Sequence, residues 1–586
     1  MEANDNPLKS PLLKKTAEGS DTSLMLAKDG SFLWTGITPA SRYQGWFLAM
    51  DGGRMIKVVE DIRPRDRQKI KELTGDLTVA EKAGEEIREI FILPEPQVLF
   101  YEMDKFVPVE IFFDIKDAYD SPEFGRNYRV WKEDGAIVVN FNQEDRAIPE
   151  IFAAIWGDFG IIEIREEWVK RDYEYDRQRK DAPSERWVFK PAEISASRIV
   201  VAAALTKEEA ISRVREAWNQ QRTIGGREKL TVSQPADEAA AAKEAAAGAL
   251  EMLKIKKSGT HALRAGLPWF FQVWRRDEAV SLRGLSLIDP EAAKEILWRQ
   301  MDELAAEGYR FAESADAIGW LFLRAGEMIK AGKLGAEETK KIFGILEMSI
   351  RELLAENTKN DLAINGPKLT WMDSLERSGA AIEIQSLRLN MYDLAARIAD
   401  SEEKKNYYHD LEAAAWIRVR EKFFRRENLA DLFDPVTGTA DFRARPNVFL
   451  AAYAYPQLLS ESEWADVFDK SLEILRCDWG GLSTLGKNET EFHGKDAGAD
   501  PAAYHNGDSW FWVNNLAAVV LNRLNKEKYA SFVNKIFEAS ANDILRHGAI
   551  GCASEISPAE KYEPAGCVNQ AWSDATFLEL AAELKR

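Results

Sequence analysis

The sequence predicts two domains, an N-terminal antiparallel β-sandwich followed by a C-terminal (α/α)6 barrel built from six helical hairpins. Three observations lead to this prediction. The chain has 586 residues, which is too long for one ordinary hydrophobic core. The first 205 residues contain short, partly alternating apolar segments without long helices between them. From about residue 236 onward, Ala-, Glu- and Leu-rich amphipathic segments follow one another.

The N-terminal segments are predicted to be strands because they are rich in β-branched and aromatic residues. Turn signals such as Glu133-Asp134-Gly135 separate them. Many short strands without long intervening helices favour an antiparallel sandwich. The clearest predicted strands are 86–92, 97–101, 108–115, 136–141, 160–166 and 195–204.

A helix over 207–222 and a polar linker over 223–235 follow the strands. The predicted boundaries are therefore 1–205 for the β-sandwich, 206–235 for the linker region and 236–586 for the barrel.

About twelve helices are predicted in the C-terminal part. They also suit a solenoid, but no self-similarity at a fixed period is present. Aromatic-rich loops between paired helices favour six hairpins closed into a barrel, with a pocket at one end. The predicted helices are 236–254, 277–286, 290–306, 313–332, 336–357, 381–399, 402–425, 446–457, 461–475, 508–524, 527–545 and 569–584.

Composition excludes several classes of function. The formal net charge of −19 disfavours nucleic acid and anionic membranes as partners, and it is compatible with a neutral substrate such as a sugar. No apolar run reaches the roughly 18 residues of a membrane span, and residues 1–16 lack the apolar core of a secretory signal. Three cysteines do not make a disulfide framework. We therefore expect a soluble, cytoplasmic protein.

The motifs of several enzyme chemistries are absent. The five histidines are scattered, and neither His-Glu-x-x-His nor paired Cys-x-x-Cys occurs. The sequence also contains no G-x-S-x-G elbow, Walker A loop or dinucleotide fingerprint. We expect no metal and no organic cofactor. What remains is carboxylate chemistry among aromatic residues, which glycoside hydrolysis requires.

Two candidate segments lie in the first half of the predicted barrel. In 266–277, aromatic residues precede Arg276 and Asp277, a combination that suits stacking on a sugar ring and hydrogen bonds to its hydroxyls. The alternative is a helix junction capped by Asp277. In 369–385, Asp373 next to Trp371 is a candidate general acid, since partial desolvation raises a carboxyl pKa. Its alternative role is an N-cap.

Two further segments lie near the C-terminus. In 504–512, His505 either orients substrate or is structural. In 551–573, Glu555 lies in a Gly/Ser-flanked loop and is a candidate general base. The alternative is an ordinary surface carboxylate. Cys552 and Cys567 in the same stretch are expected to be buried free thiols.

In this order, the segments resemble the archaeal and bacterial glycogen debranching enzymes of the amylo-α-1,6-glucosidase type, which belong to the glucoamylase-like six-hairpin glycosidases. The matching residues are Pro268-Trp269-Phe270 with Trp274 and Arg276-Asp277, Thr370-Trp371-Met372-Asp373, Ile382-Glu383-Ile384, Tyr504-His505-Asn506-Gly507 with Trp510 and Trp512, Gly551-Cys552 with Ser554-Glu555-Ile556, and Gln570-Ala571-Trp572-Ser573. Near the N-terminus, Ser41-Arg42-Tyr43-Gln44-Gly45 is similar to a segment of the family's β domain.

The resemblance implies an inverting hydrolase that releases glucose from α-1,6 branch points of glycogen or limit dextrins. It implies Asp373 as the general acid and Glu555 as the general base, with their carboxyl groups about 6.5–9.5 Å apart. It also implies that Asp277 and Arg276 hold the terminal glucose. The complete set of expected substrate-binding residues is Trp269, Trp274, Arg276, Asp277, Trp371, Glu383, His505, Asn506, Trp510, Gln570 and Trp572.

Arg275 and Asp508 depart from the family pattern and are expected near the pocket mouth, where they would change what binds beyond the terminal sugar. The expected partner is an α-glucan or oligosaccharide. One alternative is the same fold acting on maltooligosaccharide, trehalose or a glycosyl-glycerate. Another is a non-catalytic glycan-binding protein.

Overall fold

The computed structural model describes residues 13–16, 22–50, 53–76, 78–119, 123–144, 148–220, 237–495 and 501–585. The predicted linker over 223–235 lies outside these residues. The domain boundaries stay a prediction, although the last strand of the N-terminal sheet ends at Ala204 and the first helix of the C-terminal part begins at Glu238.

The N-terminal part is a 14-stranded sheet in which every pairing is antiparallel. Its strands are β1 (Leu13–Thr16), β2 (Ser23–Lys28), β3 (Ser31–Gly36), β4 (Gly45–Ala49), β5 (Met55–Pro64), β6 (Ile70–Gly75), β7 (Val79–Gly84), β8 (Arg88–Glu95), β9 (Val98–Asp117), β10 (Arg126–Glu133), β11 (Ala136–Gln143), β12 (Ile151–Gly157), β13 (Ile162–Asp172) and β14 (Glu185–Ala204).

Two long strands, β9 and β14, pair with each other and form the centre of this sheet. The strands run in the order β1-β6-β7-β8-β9-β14-β12-β11-β10, while β5, β4, β3 and β2 continue from β9 on a second path. Strand β2 packs across β6, β7 and β8 without pairing to them, so the sheet folds over itself and encloses an apolar core.

One long strand replaces the two predicted at 97–101 and 108–115. Strand β9 pairs with β8 as far as Met103 and with β5 from Val109 onward, so the chain changes partner over residues 104–108 and does not turn there. Helix α2 (Lys207–Gln220), which follows the short α1 (Glu174–Gln178), covers the outer face of the sheet with Ala210, Ile211 and Val214.

The C-terminal part is helical. Its helices are α3 (Glu238–Leu253), α4 (Arg275–Leu285), α5 (Pro290–Ala306), α6 (Ala317–Lys330), α7 (Ala336–Glu356), α8 (Ile382–Ile398), α9 (Glu402–Phe423), α10 (Asn447–Ala454), α11 (Glu461–Leu475), the single turn α12 (Pro501–Tyr504), α13 (Phe511–Arg546) and α14 (Ala571–Glu583), with a 3₁₀ turn at Pro456–Leu458. Non-helical Asn525 divides α13 into two helices, so the described residues of the C-terminal part contain twelve helices longer than one or two turns.

Short strands join the loops between these helices. They are β15 (Lys254–Lys257), β16 (Thr260–Leu263), β17 (Gly266–Leu267), β18 (Thr358–Lys359), β19 (Leu362–Ala363), β20 (Ala380–Ala381), β21 (Phe424–Arg425), β22 (Asn428–Leu429), β23 (Leu432–Asp434), β24 (Thr439–Asp441), β25 (Ser509–Trp510), β26 (Ile556–Ser557) and β27 (Asn569–Gln570).

Six of the twelve helices form a closed inner ring. Helix α4 packs on α6, α6 on α8, α8 on α10, α10 on α13, α13 on α14, and α14 packs back on α4. The inner helices are buried almost all round, as every residue of α10 shows. Because an outer helix returns the chain after each inner helix, the inner helices run in one direction and their N-termini meet at one end. The predicted closed barrel is confirmed.

The β domain docks on this barrel through backbone and side-chain contacts. Ser23 exchanges backbone hydrogen bonds of 3.0 Å with Gly548 and Ile550, and the Tyr175 hydroxyl donates to the Gly566 carbonyl at 3.1 Å. The three cysteines are free and buried, as expected. Within the described residues, no helix combines the length and apolar composition needed to cross a bilayer.

Candidate active site

The motif residues lie at the N-terminal ends of the inner helices. Arg276 and Asp277 are in the first turn of α4, and Asp373 is in the loop before α8. His505 precedes α13, and Glu555 lies in the loop between α13 and α14. Barrel closure therefore brings segments that are far apart in sequence to one end of the ring.

Asp373 is the more open of the two predicted catalytic carboxyls, since its side chain is 44% exposed. Partial burial raises the pKa of Asp373, and the positive charge of Arg276 opposes that effect. The Nη1 atom of Arg276 lies 3.6 Å from Asp373 Oδ2, while its Nε donates to Asp316 Oδ1 at 2.7 Å. Asp316, which the sequence analysis did not single out, thus fixes the arginine beside Asp373.

Glu555 is 2% exposed. The Tyr504 hydroxyl donates to its Oε1, and the Cys567 backbone N–H donates to its Oε2 at 2.9 Å. Burial raises the pKa of Glu555 to about 7, although both donors lower it. Gly566 has a φ of +76°, and a Cβ there would lie 2.5 Å from Glu555 Oε2. The loop therefore requires glycine at this position.

A short chain of contacts connects Asp373 to Glu555. Ser374, the neighbour of Asp373, shares a 2.7 Å hydrogen bond with His505 Nδ1, and Tyr504, the neighbour of His505, donates to Glu555. The charge of Asp373 also raises the pKa of Glu555. The two carboxyls therefore line the same end of the barrel.

Four tryptophans, Trp371, Trp510, Trp512 and Trp572, pack together between these loops. Trp371 meets Trp510 and Trp512 edge-on, with ring centroids 5.5 and 5.3 Å apart, and Trp512 stacks on Trp572 at 4.9 Å. His505 stacks on Trp510 at 5.0 Å. We call these four residues the tryptophan cluster. Such rings offer apolar faces suited to the C–H groups of a sugar.

Several buried polar atoms around the tryptophan cluster have no hydrogen-bond partner among the described residues. They include the indole Nε1 atoms of Trp512 and Trp572, Nε2 of His505 and Oε1 of Gln570. Burial and nearby cations lower the pKa of His505 well below its ordinary value, so its ring is neutral. Buried groups of this kind are rare in folded proteins. A ligand that both donates and accepts hydrogen bonds would satisfy them.

Asp277 is a buried carboxyl group at the same end of the barrel. It is 1% exposed, and neither carboxyl oxygen makes a hydrogen bond to another described residue. Burial raises its pKa to about 8, and Arg276 only partly opposes this. A protonated carboxyl both donates and accepts, as recognition of a sugar hydroxyl requires.

Glu383 and Asn506 have partners within the protein. Both carboxylate oxygens of Glu383 accept from Arg377, at 2.6 and 2.9 Å. Arg377 also binds Asp431. Asn447 connects Asp431 to Trp371, because it donates to Asp431 Oδ1 and accepts from the indole N–H of Trp371, each at 2.7 Å. The Asn506 side-chain oxygen accepts from Arg445 at 2.9 Å. These contacts orient the loops around the tryptophan cluster.

The two tryptophans of the first motif lie apart from this cluster. Trp269 is at the domain interface, where the Arg179 guanidinium lies 3.6 Å above its ring and Tyr43 is 5.5 Å away. Trp274 is 41% exposed and lies beside Phe270, with ring centroids 5.4 Å apart.

The two departures from the family pattern, Arg275 and Asp508, differ in their surroundings. Arg275 is bound to three glutamates, Glu303 at 3.2 Å, Glu313 at 2.6 Å and Glu307, so its guanidinium is directed to the end of α5. Asp508 is fully buried. Within the described chain, no three His, Cys, Asp or Glu side chains are grouped to hold a metal ion.

Comparisons with known proteins identify a family match and a similar fold. Residues 345–579 match the family described as Amylo-alpha-1,6-glucosidase. The fold is similar to that of a bacterial glucoamylase solved with acarbose, with a TM-score of 0.60, 9% identity and coverage of 98% of this chain and 97% of that one.

A mannosylglycerate hydrolase from Thermus thermophilus aligns with a TM-score of 0.46 and 13% identity over 59% of this chain and all of that one. No curated protein matches the sequence significantly. The chain therefore has a glucoamylase-like fold, and residues 345–579 within it match the amylo-alpha-1,6-glucosidase family.

Proposed function

We propose that this protein is an inverting α-glucosidase that removes single glucose units from α-1,6 branch points of a glucan. Glu555, held by Tyr504 and Cys567 at the same end of the barrel as Asp373 and within reach of its charge, is the observation that carries the proposal. Two carboxyls with different environments at one aromatic site are what this hydrolysis requires.

Exposure distinguishes the roles of the two carboxyls. The leaving group of a pocket enzyme extends toward solvent, so the half-exposed Asp373 is placed to protonate its oxygen. The buried Glu555 is fixed by two donors, which suits a base that orients a single water. Both donors favour the ionised form that a base needs.

The reaction transfers two protons. Asp373 gives its proton to the glycosidic oxygen as the bond from that oxygen to C1 breaks. Water attacks C1 from the opposite face and gives a proton to Glu555, so the released glucose has the β configuration. Asp277 and the indole N–H groups of Trp512 and Trp572, which have no hydrogen-bond partner among the described residues, hold the hydroxyls of the terminal glucose that carries C1.

The preference for α-1,6 bonds is supported by the family description of residues 345–579. The substrate we propose is a branched α-glucan or its limit dextrin. The three free thiols are consistent with the reducing cytoplasm, where we place the protein.

The test is glucose release from a branched limit dextrin, compared with a linear maltooligosaccharide, trehalose and a glycosyl-glycerate. We expect the branched substrate to be preferred by about tenfold or more in kcat/KM. Asp373→Asn and Glu555→Gln should each lose about a thousandfold or more in kcat with unchanged Tm. Preference for another substrate would reject the bond specificity, and near-normal turnover in either variant would reject the catalytic pair.

A further inference from the structure

A cavity of about 840 Å³ lies between the β domain and the loop that carries Glu555. Strand β13, helix α1 and the segment after it line one side, and residues 547–568 contribute to the other. Among the described residues, its lining includes seven lysine and arginine side chains and three acidic ones. The chain as a whole carries a formal charge of −19, so the described lining of the cavity has a net charge opposite in sign to that of the whole chain.

Three arginines of this lining, Arg67, Arg171 and Arg179, make no side-chain hydrogen bond to any other described residue. The Arg171 side chain is 10% exposed, and its nearest carboxylate oxygen, on Asp61, is 3.6 Å away. That of Arg179 is 11% exposed and 3.8 Å from Asp181. In both, the Nε atom and the Nη atom of that ion pair are buried and make no hydrogen bond.

Aromatic rings hold two of these guanidinium groups in place. Arg171 lies 4.1 Å from the centre of the Phe112 ring, and Arg179 lies 3.6 Å from that of Trp269. Such stacking fixes the plane of a guanidinium without using its N–H donors. Burial and the charges of Arg63 and Arg171 lower the pKa of Arg67. Arg67 and Arg171 therefore repel each other, while neither side chain makes a hydrogen bond to another described residue.

We propose that this cavity binds the phosphate group of a small phosphate monoester, at a site separate from the carboxylate pair. A phosphate group has several acceptor oxygens, and two of them can accept the paired N–H donors of one guanidinium group. A neutral glucan would leave the mutual repulsion of the arginines uncompensated. The volume is that of a small-molecule site, and Tyr175 and Tyr562 in the lining offer faces for the organic part.

The location connects this site to catalysis. Ala565 and Val568 line the cavity, and between them Gly566 and Cys567 contact Glu555. A bound phosphate ester would therefore lie across one backbone segment from the proposed base.

The test is isothermal titration calorimetry of the full chain with inorganic phosphate and with glucose 6-phosphate, in about 150 mM sodium chloride to screen non-specific attraction. Arg171→Gln and Arg67→Gln should each weaken binding by about tenfold or more. The matched control is Arg165→Gln, which removes the same charge from the same strand, β13, at a residue outside the lining. This control and Asp373→Asn should bind within about twofold of the unchanged protein.

Tighter binding of the ester assigns the site to phosphate monoesters, whereas equal affinity assigns it to free phosphate. Either result supports a phosphate site. If Arg171→Gln does not fold, the exposed Arg67 carries the test. The proposal is overturned if neither compound binds at about 10 mM, if binding survives both substitutions, or if Asp373→Asn abolishes it.

Discussion

Replacing Asp277 by asparagine should change how the stability of the protein depends on pH. The pKa of this buried carboxyl is about 8, against an ordinary value of 3.8. The folded chain therefore holds a proton that the unfolded chain releases between about pH 4 and pH 8, and stability falls as pH rises through that window. The difference of about 4 pKa units corresponds to about 5–6 kcal/mol in total, at 1.36 kcal/mol per unit.

The amide of Asp277→Asn does not titrate, so the variant does not lose this stability as the pH rises. The difference between its free energy of unfolding and that of the unchanged protein should therefore increase in favour of the variant by about 4 kcal/mol between about pH 5 and pH 8. Only the change with pH is used, because the amide itself adds a constant offset. Urea unfolding followed by tryptophan fluorescence measures it. Asp302→Asn, at a carboxyl that is 65% exposed, is the control and should show no such change. A pH-independent difference for Asp277→Asn would refute the reasoning.

Three other substitutions test the surroundings of the catalytic pair. Tyr504→Phe removes a donor to Glu555 and raises its pKa further, so kcat/KM at pH 7 should fall about 10- to 100-fold with unchanged Tm; a change below about twofold would contradict this. Gly566→Ala should lower kcat by about 10- to 100-fold as well, because the added Cβ displaces the Glu555 side chain. A crystal structure of this variant with the Glu555 side chain in its original position would contradict the prediction. Arg377→Met leaves buried carboxylates unpaired and should cost about 3–5 kcal/mol in chemical denaturation; a loss below about 1 kcal/mol would count against it.

Much of the fold was predictable because its signals are periodic. Helical spacing located the inner and outer helices to within a few residues. The long strand β9 was missed because its polar middle resembles a turn, and the change of partner from β8 to β5 depends on the folded sheet. The closure of the inner helices into a ring depends on which helices pack on each other, and the periodicity of the sequence does not show this.

The residues of the candidate site could be predicted where they belong to a motif of carboxylates and aromatic residues. Asp373 and Glu555 stand in motifs, but Asp316, which binds Arg276, stands in none. Its one local signal is an acidic residue directly before an inner helix. Tyr504 lies inside a quoted motif, yet its contact with Glu555 depends on a loop that follows 36 residues of α13.

Arg275 shows the converse limit. Its sequence position suggests the pocket mouth but not its partners, which are three glutamates at the end of α5 and in the loop that follows. The direction of a flexible, charged side chain depends on partners that sequence spacing does not reveal.

The anomeric configuration of the first product tests the central claim most directly. Proton NMR during hydrolysis of a branched limit dextrin should show β-glucose first, followed by slow conversion to the α form. Glu555→Gln should produce neither signal in the same time. α-Glucose as the first product would contradict an inverting reaction by Asp373 and Glu555, and the absence of glucose would contradict the proposed activity.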